Sequence, residues 1–479
     1  MANYLPSKVV PGLFGTFVYD NGDHNPETIN GESMHCTNGI LIQKPATIQQ
    51  PVSQKPVFNS YSNKRSFNGI RSDLEPYYSV SRSSPKPISN IAFQNFTTDK
   101  TISKKEDFIW IIARQQASQL HKPLLPGWTG FHNLTKPDNK EPHSVHYLPS
   151  IDKPPTEMST IQEILKQIKV KSEAIGLESA DAVFDHAIYA KALEVILNPK
   201  NSEMNEFINL RMGGFHASLV FIAVICKRFY DAGLKDVFVE TNLVGSEMTN
   251  SVLRGKKYNK AVRALKIVHE ALQRLKFEAF ENWLEENKET AKLTEVFTSS
   301  DFSMFLEKQN KDTMKSAMIK AEKLFESFQS FEASINEGDL GPMAQFWQSF
   351  IEMTQTLLDY LKSMRTGDWD LHLSSSESML KWFHAYDHTN YARHFTYCWS
   401  SQQNLSQTHP EILKEFKEGN FVCKRTADSF NMLPPDQVIE QTINKDQKGP
   451  GGIIGFSTTE NTVQRWILTS HIAPIYVNV

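Results

Sequence analysis

The sequence predicts a mixed α/β protein in which a sheet-bearing core is interrupted by a large all-helical block. Short β-rich runs open the chain, at 12–20 and 39–43. Between 181 and 240 apolar runs alternate with helical patterns, as they do where helices join parallel strands. From about 245 to 420 apolar residues recur at three- and four-residue spacings, without a strand pattern between them.

The elements follow in chain order. GLFGTFVYD (12–20) reads as a strand ending on Asp20, followed by Asn21, Gly22, Asp23, His24 and Asn25 as turn chemistry. GILIQ (39–43) pairs back on it as a hairpin. Residues 45–105, rich in Pro, Ser, Asn and Gln, form an extended or partly disordered excursion. A helix covers 108–120, and LPGWTGFH (125–132) is an aromatic-bearing loop. Thr160 with Glu163 forms a capping box that opens a helix to about 171.

DAVFD (181–185), FINLRM (207–212) and DVFVE (236–240) are strands. Helices follow the first two, at 186–197 and from Gly213-Gly214 to 230. In the helical block, Ala261, Leu265, Val268, Leu272, Leu275 and Trp283 lie along one face. FVCKR (421–425) is a strand, a helix begins near Pro435, and GPGG (449–452) turns into a last helix around 460–468. The chain therefore divides into first core strands (1–44), the excursion (45–105), the main core (106–244), the helical insertion (245–420) and a closing core segment (421–479).

Fifty-one Lys and Arg against 54 Asp and Glu leave a net charge of −3, so any contact with nucleic acid is local. Cys36, Cys226, Cys398 and Cys423 are scattered and form no C-x-x-C pair, as reduced thiols of an intracellular protein do. The longest apolar stretch, 215–226, falls short of the roughly 20 residues of a membrane helix and runs into Lys227 and Arg228. No membrane association is expected.

Acids ending separate strands, with a third on a helix, are the ligand set of two-metal phosphoryl-transfer sites, whose hard oxygen donors suit Mg²⁺ or Mn²⁺. Asp20 and Asp185 each follow an apolar strand, while Asp436 and Glu440 share one helix face. The ordinary alternatives are a turn or helix cap for each Asp and dipole stabilisation for the helical pair. Asp23, His24 and His216 are accessory candidates. His216 follows two glycines at a strand-to-helix junction, where a capping or buried hydrogen-bonded role competes with ligand binding. The only compact basic cluster is Arg254, Lys256 and Lys257 with Lys260 and Arg263.

Several segments carry a resemblance: DNGDHNPETINGESMHCTNGI (20–40), VFDHAIYAKALEVI (184–197), LRMGGFHASL (210–219), AYDHTNYARHFTYCW (385–399) and DQVIEQTINKDQKGPGGIIGFS (436–457). Through them the chain resembles a multicopy family of transposon-derived animal proteins, similar in turn to transposases with a ribonuclease-H-like core. That resemblance implies one acid on the first strand, a second after the fourth and a third on a late helix, hence Asp20, Asp185 and Glu440, with Asp436 competing for third place. It also implies two Mg²⁺ or Mn²⁺ ions, a nuclear protein acting on DNA and a possible homo-oligomer, with 245–420 as the helical insertion. Two departures stand out. Only 19 residues precede Asp20, where relatives carry a long region, so a truncated or derived chain is expected. Gly22 stands where a bulky apolar residue is usual, which should loosen the first turn. The competing expectation is a domesticated or decayed relative that binds DNA or protein without catalysis.

Overall fold

A computed structural model describes residues 5–6, 8–24, 34–46, 74–79, 97–119 and 125–448. Its centre is a five-stranded mixed sheet in the order β3-β2-β1-β4-β5. The strands are β1 (Gly15–His24), β2 (Met34–Gln43), β3 (Ser144–Ile151), β4 (Ala180–Phe184) and β5 (Ile208–Met212). The expected hairpin is present: β1 and β2 are antiparallel, as are β2 and β3. β4 runs parallel to both β1 and β5.

Side-chain alternation sorts the sheet residues by face. Phe17, Tyr19, Leu41, Ala182, Phe184 and Leu210 join one large apolar cluster shared with most of the helices. Val18, Ile40, Ile42 and Val183 point the other way, into a smaller cluster capped by Val438, Ile439 and Ile443. Four helices precede or follow the early strands: α1 (Thr97–Gln119), α2 (Trp128–Thr135), α3 (Met158–Ala174) and α4 (His186–Ile196). Every element assigned from Ser246 to Lys417 is helical, as expected. That block shares its apolar core with the sheet.

Several expectations are corrected. DVFVE is the helix Lys235–Glu240, because burial falls on Leu234 and Phe238, four residues apart, and not on alternate residues. The edge strand β3 was not anticipated, because Pro149 lies within it. FVCKR forms a single bridge, Cys423 with Leu433, before Lys424 turns away to pair with Asp138. LPGWTGFH is mostly helix, since Trp128 begins α2 and buries itself with Phe131. Thr160 lies inside α3, whose N-cap is Glu157 without a side-chain cap bond. The excursion ends before 105, because α1 starts at Thr97.

Leu275 turns outward, 60% exposed, while Phe277 and Phe280 take the buried face of their helix. Tyr391 is only half-buried beside the buried Trp399, and Asp387 and Arg393 are both exposed. The GPGG turn and the final helix lie outside the described residues. No helix among the described residues is long and apolar enough to cross a membrane.

A polar belt crosses the sheet interior. Asp181, fully buried on β4, accepts from Arg211 at 2.9 and 2.6 Å, from Thr16 at 2.8 Å and from Asn209 at 2.9 Å. Removing one partner of such a pair strands a buried charge, whereas replacing both does not. Arg211→Met should therefore lower stability by about 3–5 kcal/mol, and adding Asp181→Leu should recover much of the loss. Urea denaturation midpoints of the two variants check this.

Candidate functional site

The register of the sheet brings Asp20 and Asp185 together. The parallel ladder between β1 and β4 ends at Tyr19 opposite Phe184, so the next residues are Asp20 and Asp185, on strands about 4.8 Å apart. Both share the face of Val18 and Val183 by alternation. Asp20 does not end β1, contrary to the sequence reading. The antiparallel ladder with β2 continues through Asn21 and Gly22 to His24, with Asp20 opposite Asn38. Gly22 fits tightly here, since a Cβ would lie 2.6 Å from Cys36 Sγ and 2.7 Å from Asn38 Nδ2. Asp23 and His24 are placed only as backbone at the end of β1; their side chains lie outside the described residues.

Asp185 also takes the ordinary role weighed for it. It is the N-cap of α4, its Oδ1 accepting from Ile188 N at 2.8 Å. One strand further on, Gly213 and Gly214 lead from β5 into the helix Gly214–Phe229. Asp436, in the first turn of the helix Pro435–Gln441, approaches that helix end from across the sheet. Its carboxylate accepts from Phe215 N at 3.1 Å, His216 N at 3.0 Å and the His216 ring at 3.0 Å. A carboxylate on free N–H groups at a helix start is favoured by both hydrogen bonding and the helix dipole. Gly213 makes this approach possible, because a Cβ there would stand 2.2 Å from Asp436 Oδ2.

Asp436 and Glu440 thus separate into different roles. Asp436 is buried and engaged with a helix end and a histidine. Glu440, one turn later, is half-buried and acts electrostatically on Asp20. Burial, then the charges of Glu440 and Asp185, push the Asp20 carboxyl up to about 7, against the Asn21 N–H and His216, which pull it down. Burial alone would depress His216, but its hydrogen bond and ion pair with Asp436, with Asp20 and Asp185 beyond, carry it up to about 9. At neutral pH the site therefore holds a cationic histidine among carboxylates, one of them poised to exchange a proton.

Residues not singled out by sequence complete the surroundings. Behind Asp20, Asn444 donates to its Oδ2 at 2.9 Å, while Asn21 N donates to Oδ1 at 2.8 Å. Asn38 donates to Asn444 at 2.8 Å and exchanges hydrogen bonds with Gln447, so buried amides fix the Asp20 rotamer from behind. Beside Asp185, His186 stacks on Tyr391 at 5.2 Å, and its Nε2 lies 2.9 Å from His394 Nδ1. The available signals were Asp185-His186 as neighbours and Tyr391 with His394 one helical turn apart.

Asp20, Asp185 and Glu440 offer hard oxygen donors of the kind Mg²⁺ and Mn²⁺ take, and their mutual repulsion is what a cation relieves. Among the described residues, no group of three or more His, Cys, Asp or Glu side chains is arranged to hold a metal ion. The donor chemistry fits such an ion; the side chains would have to close on it.

Residues 127–477 match the family described as a domain of unknown function, DUF8702. No curated protein matches the chain. No solved structure matches it either.

The raised Asp20 has a defined pH signature. A carboxyl held above its unfolded value contributes stability that is full below about pH 4 and is lost as pH rises through about 7. Asp20→Asn should flatten the stability profile between those limits, gaining relative to the parent at pH 8 and losing at pH 4. His216 has the opposite sign of charge: its stabilisation is full below its ordinary value and disappears above about 9. His216→Gln should cost about 1.5–3 kcal/mol at pH 7 and little above that upper limit. Denaturation curves at stepped pH test both, and profiles parallel to the parent would contradict the assigned interactions.

Proposed function

Because the chain belongs to the DUF8702 family, which carries no assigned activity, we propose its function from the site: divalent-metal-dependent cleavage or transfer of a DNA strand, of the transposase kind. The observation that carries this reading is the charge-coupled group of Asp20, Asp185 and Glu440, whose first two members follow the paired residues Tyr19 and Phe184 of the interior strands β1 and β4. The acids fall on the first strand, after the fourth and on a late helix, in the order that the resemblance to ribonuclease-H-like transposases implies. The helical block between Asp185 and Glu440 likewise suits an insertion within such a core.

In this reading Asp20, Asp185 and Glu440 would hold Mg²⁺ or Mn²⁺, which supplies charge stabilisation to the attacking and leaving oxygens when bound. Asp436 keeps the late helix on the Gly214–Phe229 helix end, and the Asn444–Asn38–Gln447 group orients Asp20. In this reading His216, cationic and half-buried, would meet a phosphate oxygen through the ring nitrogen not engaged by Asp436. The exposed Arg254, Lys256, Lys257, Lys260 and Arg263 provide the local DNA backbone contact that a nearly neutral chain requires.

One observation favours the second reading, a transposase-derived protein that binds DNA without cutting it. Both Asp20 oxygens already accept hydrogen bonds from the protein. The two readings part on a metal titration followed by nicking of a branched DNA end. Under the catalytic reading Mn²⁺ binds saturably, Asp20→Asn, Asp185→Asn and Glu440→Gln each lower cutting by more than about a hundredfold, and DNA affinity persists. DNA binding with no metal-dependent nick in the parent chain would decide for the non-catalytic reading.

A further inference from the structure

Five helices line a cavity of about 340 Å³ to which none of Asp20, Asp185, Asp436 and Glu440 contributes, a size suited to a small organic ligand. They are α1 and the helices Tyr258–Glu286, Glu322–Glu337, Gly341–Thr366 and Trp369–Ala385. α1 gives the cavity a polarity. Lys100, Lys104, Phe108 and Ile111 fall on one helix face and all line it, cations first and apolar groups after, over roughly 16 Å at 1.5 Å per residue.

At the apolar end Phe108 packs edge-on to Phe325 at 5.5 Å and tilted on Phe328 at 4.8 Å. At the other end Lys381 joins Lys100 and Lys104, and burial depresses Lys100 against Glu377 and Asp359, with the charges of Lys104 and Lys381 adding to the fall. None of the three lysines makes an ion pair within 4 Å among the described residues.

The carboxylates of the lining act on these ammonium groups only through space, Asp359 on Lys100 and Glu332 on Lys104, because their hydrogen bonds and ion pairs are made elsewhere. Asp107 is held by Lys362 at 3.2 Å and His132 at 3.0 Å. Glu332 pairs with Lys276 at 2.6 Å, and Glu352 accepts from Asn336 at 3.2 Å. Asp359 accepts from Ser103 at 2.5 Å and Gln355 at 3.0 Å, and burial with the neighbouring Asp107 pushes it up to about 6. What remains is a wall of aromatic edges leading to three ammonium groups that make no ion pair within 4 Å among the described residues, with Lys381 also lying over the Trp382 ring at 5.1 Å.

We propose that this cavity binds an amphipathic aromatic anion, its ring against Phe108, Phe325 and Phe328 and its acidic group on Lys100, Lys104 and Lys381. Ring faces and edges recognise an aromatic body, and ammonium groups beside an apolar wall make strong charge-assisted hydrogen bonds to a carboxylate, sulfonate or phosphate. The cavity lies between α1 and the helical block and does not depend on the acid site for its chemistry.

The probe is 8-anilinonaphthalene-1-sulfonate, titrated by fluorescence into the full chain, with 1-naphthyl phosphate as competitor. Saturable binding of one probe per chain is expected, with competition by the phosphate and a higher Tm in its presence. Lys104→Glu with Lys381→Glu, both at exposed side chains, should weaken binding by about tenfold or more. Lys104→Gln with Lys381→Gln should weaken it less and serves if the charge-reversed pair unfolds. Binding that does not saturate, or an affinity unchanged in cooperatively folding variants, overturns the proposal.

Discussion

The contact on which the arrangement of the acids depends is made across more than two hundred residues of chain, between the Asp436 carboxylate and the first N–H groups of the Gly214–Phe229 helix. It satisfies donors that have no partner within their own helix, and it brings a negative charge to the positive end of the helix dipole. Gly213 is the backbone concession that allows it, since any Cβ would occupy the carboxylate's place. With Asp436 seated, Val438, Ile439 and Ile443 cover Val18 and Val183, Glu440 comes into the field of Asp20, and Asn444 reaches the Asp20 side chain.

That seating explains how an arrangement of mutually repelling acids is tolerated. The late helix is anchored by apolar burial and by a hydrogen-bonded ion pair with His216, neither of which involves Glu440. Asp20 is held from behind by amides whose own hydrogen bonds are complete within a buried group. Burial and the repulsion of Glu440 and Asp185, offset in part by the Asn21 N–H and by His216, set the Asp20 carboxyl apart from an ordinary one. The polar belt around Asp181 shows the contrast: there the buried acid is matched by Arg211 and also accepts from Thr16 and Asn209.

Much of this was legible in the sequence where periodicity was strong. The strands ending near Asp20 and Asp185, the junction at Gly213-Gly214 and the helical run beyond 245 could be read from apolar spacing and turn residues. Failures came where one pattern fits two structures. Val237 and Val239 alternate like a strand, yet Leu234 and Phe238 at helical spacing carry the burial. Asn21 to His24 look like a turn but extend β1, because pairing with β2 and the tight fit of Gly22 on Cys36 outweigh local turn preference. The division of labour between Asp436 and Glu440 was not readable, since it depends on which carboxylate meets a distant helix end. Nor were Asn38, Asn444 and Gln447, whose roles exist only in the folded amide group.

The central proposal is that Asp20, Asp185 and Glu440 form one charge-coupled group on which a divalent cation would close. Its most direct test follows the Asp20 carboxyl itself, by carbon-13 resonance of labelled aspartate, assigned with Asp20→Asn, across pH with and without Mg²⁺. The account predicts titration near 7 without the cation and a clear fall toward the ordinary carboxylate range when Mg²⁺ is added. An Asp20 that titrates in the ordinary range under both conditions, or near 7 with no response to Mg²⁺, would contradict it.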